Sequence, residues 1–193
     1  MGDMAVVHVS YEADGWGVGE LWIENDTVVW HELPWPRPPG GPPDTSLDPS
    51  QTPTHPGASG RSVDRRSARG SGGFAADLVR DLLRYFDGEE VALERVPVDL
   101  EYETPFLERC ALALRQIPRG EVVTYGELAA LAGAPGAARA AGSFCARNRL
   151  GLFVPCHRVV SAGGLGSYGS FGVAYKRRLL ALEGYGAPSG NAV

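Results

Sequence analysis

Cysteine is scarce: the 193-residue chain has three, Cys110, Cys145 and Cys156, and no two are spaced as in a zinc or dithiol motif. An odd, small set argues for free thiols in a reducing compartment. Long apolar runs are also missing; stretches such as residues 128–132 and 152–154 fall far short of the roughly 20 residues that a membrane-spanning helix needs. No basic flank leads into an apolar segment near the N-terminus, so no secretory signal is expected and the expected location is cytoplasmic. What is present, 44% apolar side chains, suits one or two compact soluble domains.

Basic residues are few overall, 18 against 23 acidic, for a net charge of -5. As an average this argues against a nucleic-acid partner, because phosphate contacts need Lys and Arg. The average conceals a division. Residues 1–104 carry 8 basic and 19 acidic side chains, net -11, whereas residues 105–193 carry 10 and 4, net +6. The C-terminal half is the part suited to face DNA; the alternative is that the two halves merely attract each other.

Residues 5–11, 18–23 and 27–30 read as short strands separated by Asp14-Gly15 and Asn25-Asp26 turns, a small antiparallel meander. Residues 34–73 are Pro, Gly, Ser, Thr and Arg with almost no apolar side chains, which predicts a disordered insertion. Arg61, Arg65, Arg66 and Arg69 could make it a basic tether, but a solvated linker is the simpler reading. Phe74, Leu78, Leu82, Tyr85 and Phe86 have helical spacing, and Asp87-Gly88 supplies a stop. Meander and helix together make an α+β unit.

Pro105 opens a further helix whose Phe106, Cys110, Ala113 and Ile117 share one face, so Cys110 reads as core packing. After the Pro118-Arg119-Gly120 turn, Thr124 is a candidate N-cap for a helix through Leu131, with Glu127 completing a capping box. Gly133-Ala134-Pro135-Gly136 breaks that helix, and residues 137–146 form another at once, giving a helix-turn-helix pattern. Such pairs occur in any helical core. DNA is favoured here because the second helix is lined with Ala and Gly, permitting close approach, and carries one long cation, Arg139. Cys145 near its end reads as a small packed residue.

The densest chemical signal is Leu152-Phe153-Val154-Pro155-Cys156-His157-Arg158-Val159-Val160, a thiol and an imidazole between two β-prone apolar runs. A thiol of ordinary pKa is only a few per cent ionised at neutral pH, and a nearby imidazole or cation raises that share. His157 and Arg158 are both at hand. In a regular strand Cys156 and His157 would face opposite ways, so the pair requires a bend, which Pro155 makes plausible. A buried structural cysteine beside a surface histidine is the bland alternative.

Pro155-Cys156-His157-Arg158-Val159 does not stand alone. With Thr104-Pro105-Phe106, Ile117-Pro118-Arg119-Gly120-Glu121-Val122-Val123-Thr124-Tyr125, Ala137-Ala138-Arg139-Ala140, Asn148 and residues 176–183, it resembles the O6-alkylguanine-DNA alkyltransferases, or methylated-DNA-protein-cysteine methyltransferases, across residues 104–183. The resemblance implies an α+β fold. A small ribonuclease-H-like N-terminal domain would occupy residues 1–103, with the insertion at 34–73. An α-helical alkyltransferase and DNA-binding domain with a winged-helix-like helix-turn-helix would occupy 104–185, followed by a flexible tail at 186–193. It also implies DNA repair by irreversible, self-inactivating transfer of the alkyl group from O6-alkylguanine in double-stranded DNA. Apart from the resemblance, a monomer is the default expectation, the lack of a cysteine cluster predicts no metal, the short apolar runs predict no membrane, and no cofactor is expected.

Residue by residue, the resemblance makes Cys156 the attacking thiol and His157, through a water, its base, with Glu183 orienting the imidazole as in other nucleophile-base-orienter triads. Tyr125 would donate a proton or a hydrogen bond to guanine N3, neutralising the leaving base. Thr124, Tyr125, Ala138, Arg139 and Gly142 would contact DNA, Arg139 filling the gap left by the flipped nucleotide. The alkylguanine pocket would be lined by Tyr125, Asn148, Val159, Tyr168, Gly169 and Ser170. Flipping follows from geometry, because the O6 alkyl group cannot be reached along the attack line inside an intact stack. The family lays its second helix in the minor groove, where phosphate contacts hold it without sequence reading.

Two departures stand out: the family's Asn-Pro is Asn148-Arg149 here, and Tyr168 lies about one position from its usual place. Three rival readings are a non-catalytic lesion sensor of the same fold, a helix-turn-helix regulator without chemistry, and a Cys-His hydrolase. Retention of Cys156 argues against the first, the Pro155-to-Val160 and Glu183 elements would be unexplained in the second, and the third needs an oxyanion hole that is not apparent.

Overall fold

A computed structural model describes residues 6–36 and 73–186. The chain divides into two compact units, Met1–Asp99 and Leu100–Val193. The readings of residues 37–72 as a disordered insertion and of 187–193 as a flexible tail lie outside the described residues.

In the first unit β1 (Val7–Ala13), β2 (Gly17–Glu24) and β3 (Thr27–Trp35) form an antiparallel sheet in that order. Asn25 and Asp26 both have positive φ, 48° and 57°, the conformation a two-residue hairpin turn requires and one these residue types tolerate. Tyr11, Ala13, Leu21 and Ile23 turn to one buried face, and α1 (Phe74–Phe86) adds Ala75, Leu78, Leu82, Tyr85 and Phe86 to the core. The third strand runs further than expected, through Pro34 and Trp35, the first two residues of the span expected to be an insertion. At a sheet edge the missing proline N–H costs no ladder bond, so proline alone does not end the strand.

The second unit is mainly helical, and the whole has the expected mixed architecture of a small sheet-bearing N-terminal part and a helical C-terminal part. Helices α2 (Pro105–Arg115), α3 (Tyr125–Leu131) and α4 (Ala138–Ala146) pack together, and α5 (Gly172–Leu182) closes the unit. Helix α2 ends before Ile117 and buries Cys110, Ala111 and Leu114, a face rotated from the one expected. Its Pro105 stands in the first turn, where no N–H is needed. Helix α3 starts at the expected capping box: Thr124 Oγ1 accepts from Glu127 N at 3.2 Å, while Thr124 N donates to Glu127 Oε2 at 2.6 Å. Two-residue strands β4 (Val123–Thr124) and β5 (Val159–Val160) pair in parallel. That pairing sets the start of α3 beside the chain leaving the Cys-His segment. Among the described residues no helix is long and apolar enough to cross a membrane.

Candidate active site

The Cys-His segment is not a strand. Residues 151–154 form turns, with Leu152 at φ 69°, and Cys156–Arg158 make one turn of 3-10 helix before β5. Of the two flanking β-prone runs only Val159-Val160 is extended. The turn takes Cys156 and His157 off the alternation of a strand, and each meets a separate set of partners.

Asn148, just past α4, reaches the nucleophile: its Nδ2 donates to Cys156 Sγ at 3.1 Å and to Val154 O at 2.7 Å. Its Oδ1 accepts from Leu150 N at 3.1 Å, which leaves only one consistent orientation for the amide. Burial pushes the Cys156 thiol above its ordinary pKa; hydrogen bonds from Asn148 and Tyr168 and the charge of Lys176 act in the opposite direction. The resting group is therefore a thiol, and attack needs a base.

His157 is fully buried and its Nε2 lies 2.9 Å from Glu183 Oε1. Burial depresses its pKa, against the opposing pull of Glu183, so the ring is neutral. Glu183 feels burial too, yet the hydrogen bonds and charges of His157 and Arg158 outweigh it and hold the carboxyl well below the usual range. A carboxylate on Nε2 fixes the tautomer: Nε2–H donates and Nδ1 keeps its lone pair. Nδ1 is buried with no hydrogen-bond partner among the described residues. An oriented imidazole with a free basic nitrogen, one residue from a thiol, is equipped to accept a proton.

Arg158 is not the thiol's helper that sequence proximity suggested. It forks onto Glu183, Nε to Oε2 at 2.9 Å and Nη2 to Oε1 at 2.7 Å, and its Nη1 donates to Ile117 O at 2.5 Å. Arg119 Nη2 donates to Leu182 O at 2.7 Å, and Gly120, at φ 78°, passes so close that an added Cβ would lie 2.9 Å from Glu183 O. The Pro118-Arg119-Gly120 turn is thus the seat of the orienting carboxylate, a role its turn chemistry did not reveal.

The cation that faces the thiol is Lys176. It is almost wholly buried, and its Nζ donates to Val159 O at 2.5 Å, Leu165 O at 2.6 Å and Ser167 O at 3.3 Å. These bonds tie the loop after β5 to α5. A signal existed: with Tyr175, Leu179 and Leu180, Lys176 stands on the apolar face of α5. Lys176→Met keeps the stem and removes the donor from three carbonyls, at a cost of about 1–3 kcal/mol. Amide exchange at residues 161–168 is expected to rise; unchanged protection there would remove Lys176 from this role.

Tyr168 is buried, stacked on Tyr175 with centroids 6.2 Å apart and next to Phe171. Tyr125, first in α3, carries a pKa raised by burial, with Cys145 and Cys156 adding to it and a hydrogen bond with Ser167 opposing it. Gly142 of α4 faces the Tyr125 ring, where an added Cβ would lie 3.9 Å from Cδ1. Tyr125, Asn148, Cys156, Tyr168 and Lys176 therefore meet. Val159 is buried as a side chain and takes part through its carbonyl, Gly169 and Ser170 lie exposed on the loop, and Ala138 and exposed Arg139 stand in the first turn of α4. Cys110 is buried, its thiol pushed up to about 11, and burial likewise raises Cys145. Among the described residues no group of three or more His, Cys, Asp or Glu side chains could hold a metal ion.

Residues 105–185 match the family described as 6-O-methylguanine DNA methyltransferase, DNA binding domain. A methylated-DNA–protein-cysteine methyltransferase of Methanopyrus kandleri is 47% identical over 107 residues, covering 55% of this chain and 79% of that protein. One of Mycobacterium tuberculosis is 44% identical over 119 residues, covering 61% and 70%. The crystal structure of Mycobacterium tuberculosis OGT in complex with DNA superimposes with a TM-score of 0.68 at 31% identity over 92% of both chains.

Proposed function

The chain belongs to the methylated-DNA–protein-cysteine methyltransferase family, and from that premise we infer that it binds DNA and repairs it by taking an alkyl group irreversibly onto Cys156. The observation that carries this reading is the buried pairing of Glu183 with His157 Nε2, which leaves Nδ1 free to take a proton, one residue from a thiol held by Asn148.

The substrate is O6-alkylguanine in duplex DNA. As the alkyl carbon lines up with Sγ, the thiol proton passes to His157 Nδ1 through a water, and the imidazolium so formed faces the Glu183 carboxylate. Sulfur then attacks the carbon, the C–O6 bond breaks with its electron pair going to the guanine, and a thioether forms. Tyr125 hydrogen-bonds guanine N3 as charge builds on the leaving base. The thioether has no leaving group to discharge, so each molecule acts once. The active species is a monomer.

Reaching O6 requires the nucleotide to leave the stack. Helix α4 supplies a face of small residues, Ala138 and Gly142, for the minor groove, and Arg139 enters the gap, while Thr124 at the start of α3 meets the backbone. Arg139→Ala is expected to slow transfer from a lesion in duplex DNA by about ten- to a hundredfold, the cost of a few kcal/mol of unstacking no longer offset. Transfer from the free O6-alkylguanine base should be unchanged; equal slowing of both would place Arg139 in the chemistry instead. Labelled-methyl transfer should plateau at one equivalent per protein, and continuing turnover would point to a hydrolase.

A further inference from the structure

The hold of Asn148 on the thiol depends on a segment that has already left α4, and that segment is anchored by the residue that departs from the family pattern. Arg149 Nη2 donates to Glu101 O at 2.9 Å, and its guanidinium lies over the Tyr102 ring, 4.9 Å from the centroid. Tyr102 in turn sets its ring edge-on to Phe144 of α4 at 5.4 Å. On the other side of Asn148, Arg147 Nη1 approaches Glu103 Oε2 at 3.8 Å, an exposed pair that contributes little. The strap at 101–103 leads straight into α2, which packs on α3 and α4.

We propose that Arg149 is a positioning residue for alkyl transfer, clamping the chain after α4 to the Glu101-Tyr102 strap so that Asn148 Nδ2 stays on the Cys156 thiol. Proline in this place fixes φ by its ring; Arg149 achieves the same end with a tertiary clamp. A cation-π contact and a hydrogen bond from one guanidinium are a suitable means, because the planar group stacks and donates at once. Asn148 then stabilises the negative charge on sulfur between loss of the proton and formation of the C–S bond. The groups that act on the thiol are Asn148, Tyr168 and Lys176, with Tyr125 facing it from α3 and His157 its neighbour in the turn. Arg149 is not among them, so its influence on the thiol passes through Asn148.

The proposal rests on Cys156 being the alkyl acceptor. Single-turnover transfer should be measured across pH with the full chain, from both a duplex O6-methylguanine and the free O6-alkylguanine base. Arg149→Met, Asn148→Ala and the double variant are compared, with thermal unfolding as a check on folding. Arg149→Met is expected to slow both substrates roughly tenfold, the loss of one hydrogen bond to developing charge, and to move the thiol's limb of the pH profile upward. The double variant should be no slower than Asn148→Ala alone, because the two residues act in series. Arg149→Pro should recover most of the rate. A wild-type rate and profile in Arg149→Met, losses that multiply in the double variant, slowing confined to duplex DNA, or a proline variant as slow as the methionine one would each overturn the proposal. Absence of transfer by the unaltered protein would contradict the underlying reading instead.

Discussion

Replacing Glu183 by Ala is expected to lower the stability of the C-terminal unit by about 3–5 kcal/mol, the usual cost of stripping one partner from a buried ion pair, and to abolish alkyl transfer. Glu183 is 6% exposed; His157 gives its carboxylate one side-chain bond and Arg158 two, and Gly120 N donates to Oε2 at 3.5 Å. In its absence the Arg158 guanidinium keeps only Ile117 O among these partners and the His157 Nε2–H has none. The midpoint of thermal unfolding should fall by roughly 10 °C or more. Glu183→Gln keeps the volume and an acceptor for Nε2–H but not the charge, so it should unfold at a temperature between the two while still transferring poorly. If Glu183→Ala unfolds like the unaltered protein, the carboxylate is not the anchor of this site. The same group makes folding acid-sensitive: its folded pKa is lowered, so its contribution is full above the ordinary carboxylate range and is lost as pH falls below it.

His157→Gln should reduce the single-turnover rate by about a hundred- to ten-thousandfold, the range for loss of a general base, with duplex binding retained. The pH profile gives an independent check. Because burial lowers the folded pKa of His157, the ring stays neutral as pH drops through the ordinary histidine range, so the rate should hold there and fall only below it. A rate that halves near the unperturbed histidine value would show the base to be exposed or to be another group. Stability moves in the same direction. The unfolded chain binds the histidine proton more readily than the folded one, so folding weakens as pH falls below the unfolded histidine value.

How much of this could be read in the sequence varied with the kind of signal. Local features were legible: the Thr124–Glu127 capping box, the Asn25-Asp26 turn, the helix at 74–86 and the break between α3 and α4 all depend on neighbours within a few residues. The Cys156-His157 pair was legible as a motif, and Glu183 only through resemblance, since it lies 26 residues beyond His157. What stayed hidden were partnerships with backbone carbonyls. Lys176 with Val159, Leu165 and Ser167, Arg158 with Ile117, and Arg149 with Glu101 leave no imprint on their partners' identities, because every residue has a carbonyl. Arg158 was misread for the complementary reason: adjacency in sequence to Cys156 says nothing about direction once the chain turns. Pro34 and Trp35 share the composition of the segment that follows them, and composition says nothing of the pairing of Trp35 with Val18.

The central claim, that Cys156 itself carries the alkyl group away, is tested most directly by the intact mass of the protein after incubation with a duplex containing one O6-methylguanine. Peptide mapping and Cys156→Ala run in parallel. The account predicts a gain of one methyl group per molecule, mapped to Cys156 and absent from the variant, which should still bind the lesion. An unchanged mass despite lesion-selective binding, or a methyl group mapped to Cys110 or Cys145, would contradict it.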